Sequence, residues 1–280
     1  MIRLIKSALR LFLSLLKKIL FGLGYQLEIS FFKYYVDENK LNLNVGAGRY
    51  PIPGFKSLDI FTKQYYKNKD EFLKKCIEYD IRKNKIPYQT DSVDNIYISH
   101  VIEHVEYDFV YNFIQESFRV LKKGGVLRIA CPDAEFLYNA SQFKNDYWKW
   151  RHSTFSVGSK LDVDSNLVDQ YCFLIRELAS PKCFYYKNNI KSVVINSNDV
   201  ESFDYVTLKN LMRENLAFRD EYPADHINVW DFDELAKLAQ DTGFSHVLKS
   251  KFQGSVSASM QGPLFDKTYP QMSLYVDMVK

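Results

Sequence analysis

The stretch that most constrains this chain runs from Leu41 to Asp59. An apolar run, Leu41-Asn42-Leu43-Asn44-Val45, ends in Gly46-Ala47-Gly48, and a second one, Phe55-Lys56-Ser57-Leu58, ends in Asp59. Between them lies Arg49-Tyr50-Pro51-Ile52-Pro53-Gly54, where two prolines and a glycine forbid the helix that ordinarily joins the first two strands of a dinucleotide fold. The chain must pass almost directly from one short strand to its parallel neighbour. Glycine at the first strand's end lets backbone approach a ligand with no Cβ in the way, and the acid at the second can accept two ribose hydroxyls. The pattern therefore predicts a site for an adenosine-containing ligand above the carboxyl ends of adjacent parallel strands.

The rest of the chain reads as a frame for that site. A third short strand is expected over Ile77–Ile81, containing Asp80, and a fourth over Asn95–His100. Glu106–Leu121 has apolar residues at Phe109, Val110, Phe113, Ile114, Phe118 and Leu121, which is helical spacing, and Lys122-Lys123-Gly124-Gly125 is expected to cap that helix. Val126–Cys131 predicts a fifth strand, followed by Pro132-Asp133. Regular alternation then pauses over Ala134–Tyr222, an aromatic-rich stretch with helical pieces expected near Asp164–Leu178 and Leu208–Phe218. A helix capped by Asp231 and stopped by Gly243 follows, then two strands over His246–Phe252 and Ser273–Val279. Strands alternating with helices give a doubly wound, mainly parallel α/β sheet.

Charge is unevenly placed. The net formal charge is +3. Arg3, Lys6, Arg10, Lys17 and Lys18 give the first 24 residues +5 with no acid, which leaves −2 for the remainder. That body lacks the basic field of a nucleic-acid binder. Within residues 1–25 the cations interrupt the apolar residues too often for a membrane span, and Phe21–Tyr25 makes a poor signal-cleavage site. The segment predicts a basic amphipathic helix lying on an anionic membrane surface or packing against protein. The four cysteines, Cys76, Cys131, Cys172 and Cys183, have no metal-ligand spacing and read as free thiols in a reducing compartment.

Taken in order, Leu43-Asn44-Val45-Gly46-Ala47-Gly48, Asp59, Tyr79-Asp80-Ile81, Ser99-His100-Val101-Ile102-Glu103-His104 and Phe118–Gly125 resemble the motifs of class I S-adenosylmethionine-dependent methyltransferases. The short Gly48–Asp59 loop and the closing Met272-Ser273-Leu274-Tyr275-Val276 are similar to a bacterial subgroup associated with surface-polysaccharide biosynthesis. The resemblance implies a Rossmann-like, seven-stranded sheet over residues 26–133 and 223–280. It further implies a largely helical insertion over 134–222 that forms an acceptor-binding lid, and S-adenosylmethionine as cofactor. Gly46, Ala47 and Gly48 would line its methionine part and Asp59 its ribose. Asp80 and Ile81 would hold the adenine, and Ser99 and His100 would approach the sulfonium. Tyr50 replaces the third glycine of the fuller family pattern.

Methyl transfer to a hydroxyl requires a base near the acceptor oxygen. The candidates are His226, Asp133, His104 and Glu103, with His226 preferred because imidazole titrates near neutrality. Glu103 could instead hold its loop, and His104 could cap or pack. Asp133, Asp225 and His226 could contribute metal ligands, but no spacing demands a metal. Tyr147-Trp148-Lys149-Trp150-Arg151-His152 combines aromatic faces with cations suited to an anionic sugar, or else makes a plain amphipathic helix. The expected function is O-methylation of a saccharide or lipid-linked saccharide by a cytoplasmic enzyme, peripheral at the inner membrane face, with self-association left open. A small-molecule or lipid acceptor and a non-catalytic scaffold are the alternatives.

Overall fold

The computed structural model describes residues 39–48, 51–63, 66–142, 146, 147, 150, 151, 170–182 and 197–280. The expected helix over residues 1–25, and Tyr50, Trp148, Lys149 and His152, lie outside the described residues.

Seven strands make one sheet in the order β3-β2-β1-β4-β5-β7-β6. They are β1 (Asn42–Val45), β2 (Phe55–Asp59), β3 (Cys76–Glu78), β4 (Val93–Ser99), β5 (Leu121–Pro132), β6 (His246–Lys249) and β7 (Ser273–Val279). The first five run parallel, and β7 inserts antiparallel between β5 and β6. Leu43, Leu58, Ile96, Ile98, Leu127 and Ile129 are fully buried, as central strands covered on both faces require. Helix α1 (Lys69–Leu73) precedes β3 and α2 (Tyr107–Val120) precedes β5. After β5 come α3 (Ala134–Gln142), α4 (Gln170–Leu178), α5 (Ser197–Val200), α6 (Tyr205–Arg213) and α7 (Phe232–Thr242).

The Pro51–Gly54 loop carries β1 into β2 with Asn42 opposite Phe55 and Val45 opposite Leu58, so Gly46 and Asp59 emerge side by side at the same sheet edge. The strand order reverses direction between β1 and β4, the point where open α/β sheets leave a crevice. Helix α7 begins as expected: Asp231 Oδ1 accepts from the Glu234 N–H at 2.9 Å. It ends at Gly243 in the left-handed region, φ 109°.

Three local expectations need correction. The third strand stops at Glu78, because the chain turns at Asp80, whose carbonyl accepts from Lys83 and Asn84. Lys122–Gly125 does not cap α2. Leu121 is already extended and paired with Val93, and the two glycines form an irregularity inside β5. Gly124 takes φ 77°, and a Cβ on Gly125 would meet the Lys122 and Asp94 carbonyls at 2.9 and 3.0 Å. The strand expected over His246–Phe252 ends at Lys249.

Of four apolar clusters among the described residues, two are large. The larger fills the space between sheet, α2 and α7, with Phe113, Ile114, Leu235 and Trp230 at its centre. The second joins α3, α4 and α6 through Leu137, Leu174, Ile175, Leu208 and Met212, and includes Val229 and Met272 from the segments flanking the sheet. Tyr147 and Arg151 point into buried contacts there. The Tyr147 hydroxyl meets Met272 Sδ at 3.2 Å, and Arg151 Nε donates to Glu177 at 2.7 Å. The long loop before β7 is held from beneath by Arg128, which is fully buried. It pairs with Asp266 at 2.6 Å and Asp277 at 3.0 Å and also donates to the Lys251 and Gly254 carbonyls.

Candidate active site

A cleft partly open to solvent lies over the carboxyl ends of β1, β2 and β4. Gly46, Gly48, Asp59, Asp80, Ile81, His100 and His104 line it, together with Thr62, Arg82, Val101 and Phe218. The sequence reading missed the last four, although Arg82 follows the expected adenine pair directly.

The glycine turn is built from both sides. Gly46 adopts φ 66°, and its N–H donates to the Leu58 carbonyl at 2.8 Å. A Cβ there would sit 2.2 Å from Val101 Cγ2, so glycine is required sterically as well as conformationally. Gly48, φ 53°, donates its N–H to Asp59 Oδ2 at 2.7 Å, and the Tyr66 hydroxyl donates to its carbonyl at 2.6 Å. Asp59 Oδ1 accepts from its neighbour Ile60 at 2.8 Å. Each Asp59 oxygen thus takes one backbone N–H and keeps a lone pair for a further donor. Burial pushes the Asp59 carboxyl up, and the Gly48 and Ile60 N–H groups only partly offset that. Ala47 is buried and does not line the cleft.

Asp80 is arranged differently from the expectation. Arg82 grips it through Nε at 3.0 Å and a terminal nitrogen at 2.9 Å, and Lys83 lies at 3.4 Å. Burial raises its carboxyl, but Arg82 and then Lys83 outweigh that and hold it below the usual range. The Arg82 guanidinium also lies 3.7 Å over the Phe218 ring, joining the strand ends to the 218–224 segment that walls the cleft.

Beyond β4 the chain turns sharply at His100, φ 53°, and enters a short 3₁₀ turn, Ile102–His104. Ser99 stays behind this turn and does not line the cleft. His100 Nε2 meets Ser273 Oγ at 2.8 Å, and its Nδ1 lies 3.0 Å from Glu103 Oε1 in poor alignment for a hydrogen bond. Glu103 is 2% exposed. Burial favours its neutral form, but His100, with smaller contributions from His104 and His226, holds it down at about 2. Its backbone carbonyl accepts from Ile227 at 2.8 Å and Asn228 at 3.1 Å, which brings His226 against the turn. The His104 and His226 rings meet edge to face, 4.9 Å between centroids. Burial, reinforced by His104, pushes the His226 imidazole down from its ordinary value.

Three base candidates therefore converge, and the fourth does not. Asp133 caps α3, accepting from the Phe136 N–H at 3.1 Å, and faces Lys249 at 3.5 Å, away from the cleft. Asp225 spends its carboxylate on Arg219 and offers its carbonyl to His104. The trio of metal candidates suggested by sequence, Asp133, Asp225 and His226, is not the one assembled: Glu103, His104 and His226 come together instead.

The sheet order with its antiparallel seventh strand, and the glycine turn facing a strand-end carboxylate, define the Rossmann-like class I methyltransferase fold. Residues 55–129 match the family described as "Methyltransferase domain". The chain carries a class I S-adenosylmethionine-dependent methyltransferase domain, and S-adenosylmethionine is its cofactor. No curated protein matches the chain. Among solved structures it is similar to an S-adenosylmethionine-dependent methyltransferase from Archaeoglobus fulgidus, with 10% identity, 95% and 94% of the two chains covered, and a TM-score of 0.41. A possible histamine N-methyltransferase from Thermotoga maritima gives 14% identity, 86% and 82% coverage, and a TM-score of 0.40. The citrinin polyketide synthase CMeT domain gives 10% identity and a TM-score of 0.39, with 87% of this chain spanning 47% of that one.

Proposed function

We propose that this domain methylates a hydroxyl oxygen of a saccharide acceptor. The carrying observation is the imidazole placement: His104, on the cleft wall, turns Nδ1 to the Asp225 carbonyl at 2.9 Å, and His226 turns Nδ1 to the Glu177 carbonyl at 2.6 Å. A carbonyl only accepts, so these contacts select the Nδ1–H tautomer and leave each Nε2 as a proton acceptor. An amine acceptor already carries its lone pair once neutral, whereas a hydroxyl gains from a fixed base.

The residues fit the cofactor. Asp59 has one free lone pair per oxygen for the two ribose hydroxyls, and it lines the cleft beside the glycine turn. When bound, S-adenosylmethionine supplies an electrophilic methyl group on a sulfonium. Gly46, Gly48 and Asp59 then fix the ligand's position, Ile81 packs beside the base and Phe218 excludes water. His104, the imidazole on the wall, takes the acceptor proton as it is lost. Asp80 Oδ1 already takes the Arg82 backbone N–H and Nε, and Oδ2 the terminal nitrogen with Lys83 at 3.4 Å, so an adenine amino group would reach Oδ2 only in place of Lys83.

Support for a sugar acceptor comes from the resemblance of the Gly48–Asp59 loop and the closing strand to polysaccharide-associated enzymes. The acceptor site would lie under the 134–222 segment. Residues 1–25 would hold the enzyme at an anionic membrane surface, where lipid-linked saccharides are presented; equal liposome flotation with and without them would remove this part. No described helix is long and apolar enough to cross a membrane. Mass spectrometry of surface glycans from a strain lacking the gene tests the acceptor. Loss of one CH₂ per repeat is expected, and an unchanged glycan mass refutes it.

A further inference from the structure

Glu103 is 2% exposed, and neither of its carboxylate oxygens has a well-aligned hydrogen-bond donor among the described residues, although His100 Nδ1 lies 3.0 Å from Oε1. Such a group is costly unless something of opposite charge meets it. Ligand atoms of Glu103, His104 and His226 all lie within 4.8 Å of one another, with His104 Nε2 3.9 Å from Glu103 Oε1. Both histidines spend their Nδ1 proton on a backbone carbonyl, Asp225 for one and Glu177 for the other. That outward bond is the arrangement that orients metal-binding imidazoles. With both Nδ1 atoms so engaged, each histidine has only Nε2 left to offer beside the buried carboxylate, a set of acceptors that a cation would satisfy.

We infer that Glu103, His104 and His226 form a binding site for one divalent first-row transition ion, zinc or its like. Two imidazoles and one carboxylate suit such an ion, whereas magnesium and calcium prefer an all-oxygen set. Bond lengths of about 2.0–2.2 Å put tetrahedral donors roughly 3.3–3.6 Å apart, so small side-chain rotations close the site. Three protein ligands would leave one coordination position open, and His104 is the ligand that lines the cleft. His100 stands behind the carboxylate and orients it. The ion's role rests on the hydroxyl-acceptor reading: with the His104 Nε2 lone pair on the metal, the ion would replace that imidazole as the activating group, lowering the acceptor hydroxyl's pKa so that its proton passes to water in the open cleft.

The test strips the full-length protein of metal and titrates it with Co²⁺ and Zn²⁺, without cofactor or acceptor. One equivalent of Co²⁺ should bind with ligand-field absorption of a low-coordinate site, and Zn²⁺ should displace it. His226→Ala should weaken binding by more than about 100-fold, beyond the loss from an outer-shell partner. Asp133→Asn, away from the cluster, should leave it unchanged. Histidine ¹⁵N spectra of the unmutated protein provide a second readout should His226→Ala fail to fold: two Nε2 signals must move with one equivalent of Zn²⁺. No stoichiometric binding, unchanged affinity in a folded His226→Ala, or unmoved imidazole signals would overturn the site. Binding is read without acceptor, so a saccharide that is not methylated refutes the acceptor reading and leaves this result standing.

Discussion

Replacing Gly46 by alanine should damage the protein through two separable terms. Its φ of 66° places an L residue in the left-handed region, which costs about 1–2 kcal/mol. The new Cβ would lie 2.2 Å from Val101 Cγ2, far inside the ~3.5–4.0 Å of a carbon–carbon contact. The backbone cannot easily back away, because the Gly46 N–H is bonded to Leu58 at 2.8 Å in the central sheet. Overpacking of this kind adds about 1–3 kcal/mol. The sum, roughly 2–5 kcal/mol, is a large share of a typical domain stability. Val101→Ala removes both γ-carbons and leaves Val101 Cβ, at 3.3 Å, as the nearest side-chain atom. It should therefore relieve the overpacking while leaving the dihedral cost. Urea unfolding of wild type, Gly46→Ala, Val101→Ala and the double variant should give a favourable coupling of about 1–3 kcal/mol. Additivity within about 0.5 kcal/mol would refute the steric account. Both residues line the cleft, so S-adenosylmethionine affinity should follow the same order in calorimetry.

Asp59→Asn should weaken S-adenosylmethionine by about 1.5–3 kcal/mol, roughly 10- to 150-fold, because a charged acceptor is lost; a change below threefold in titration calorimetry would refute ribose binding there. Arg128→Met should destabilise by about 3–5 kcal/mol by stranding the buried Asp266 and Asp277, and a fall in urea midpoint worth under about 1 kcal/mol would contradict this. The Asp80 carboxyl is held below its unfolded value of 3.8, so its contribution is present above that pH and fades as pH falls through the folded value. Asp80→Asn should accordingly lose less thermal stability than wild type between pH 5 and pH 2, about the range over which such a carboxylate takes up its proton; parallel curves would contradict the Arg82 pairing.

Much of the fold was legible because the signals are local. Val45-Gly46, the proline loop and Asp59 restrict backbone angles within a few residues, and Asp231 and Gly243 cap a helix by contacts three or four positions away. The same locality misled at Lys122–Gly125. A Gly-Gly pair after a periodic segment resembles a helix cap, but pairing of Leu121 with Val93 and of Val126 with Asn95 pulls the pair into a strand. The Arg128 network gave no local sign at all: Asp266 lies 138 residues away and Asp277 149.

The sequence by itself determined the sheet and the adenosine-type edge, since each rests on residue types at short spacing, and the resemblance of its ordered motifs to a known family implied the cofactor class. It named Glu103, His104 and His226 separately as chemical groups. Only tertiary structure decided that they meet, because His226 reaches His104 through the pairing of Ile227 and Asn228 with the Glu103 carbonyl across more than a hundred residues of intervening chain. It likewise sent Asp133 to a helix cap and gave Asp80 to Arg82. Strand ends are set by local backbone geometry, whereas the surroundings of a titratable side chain are set by whichever distant segment packs against it.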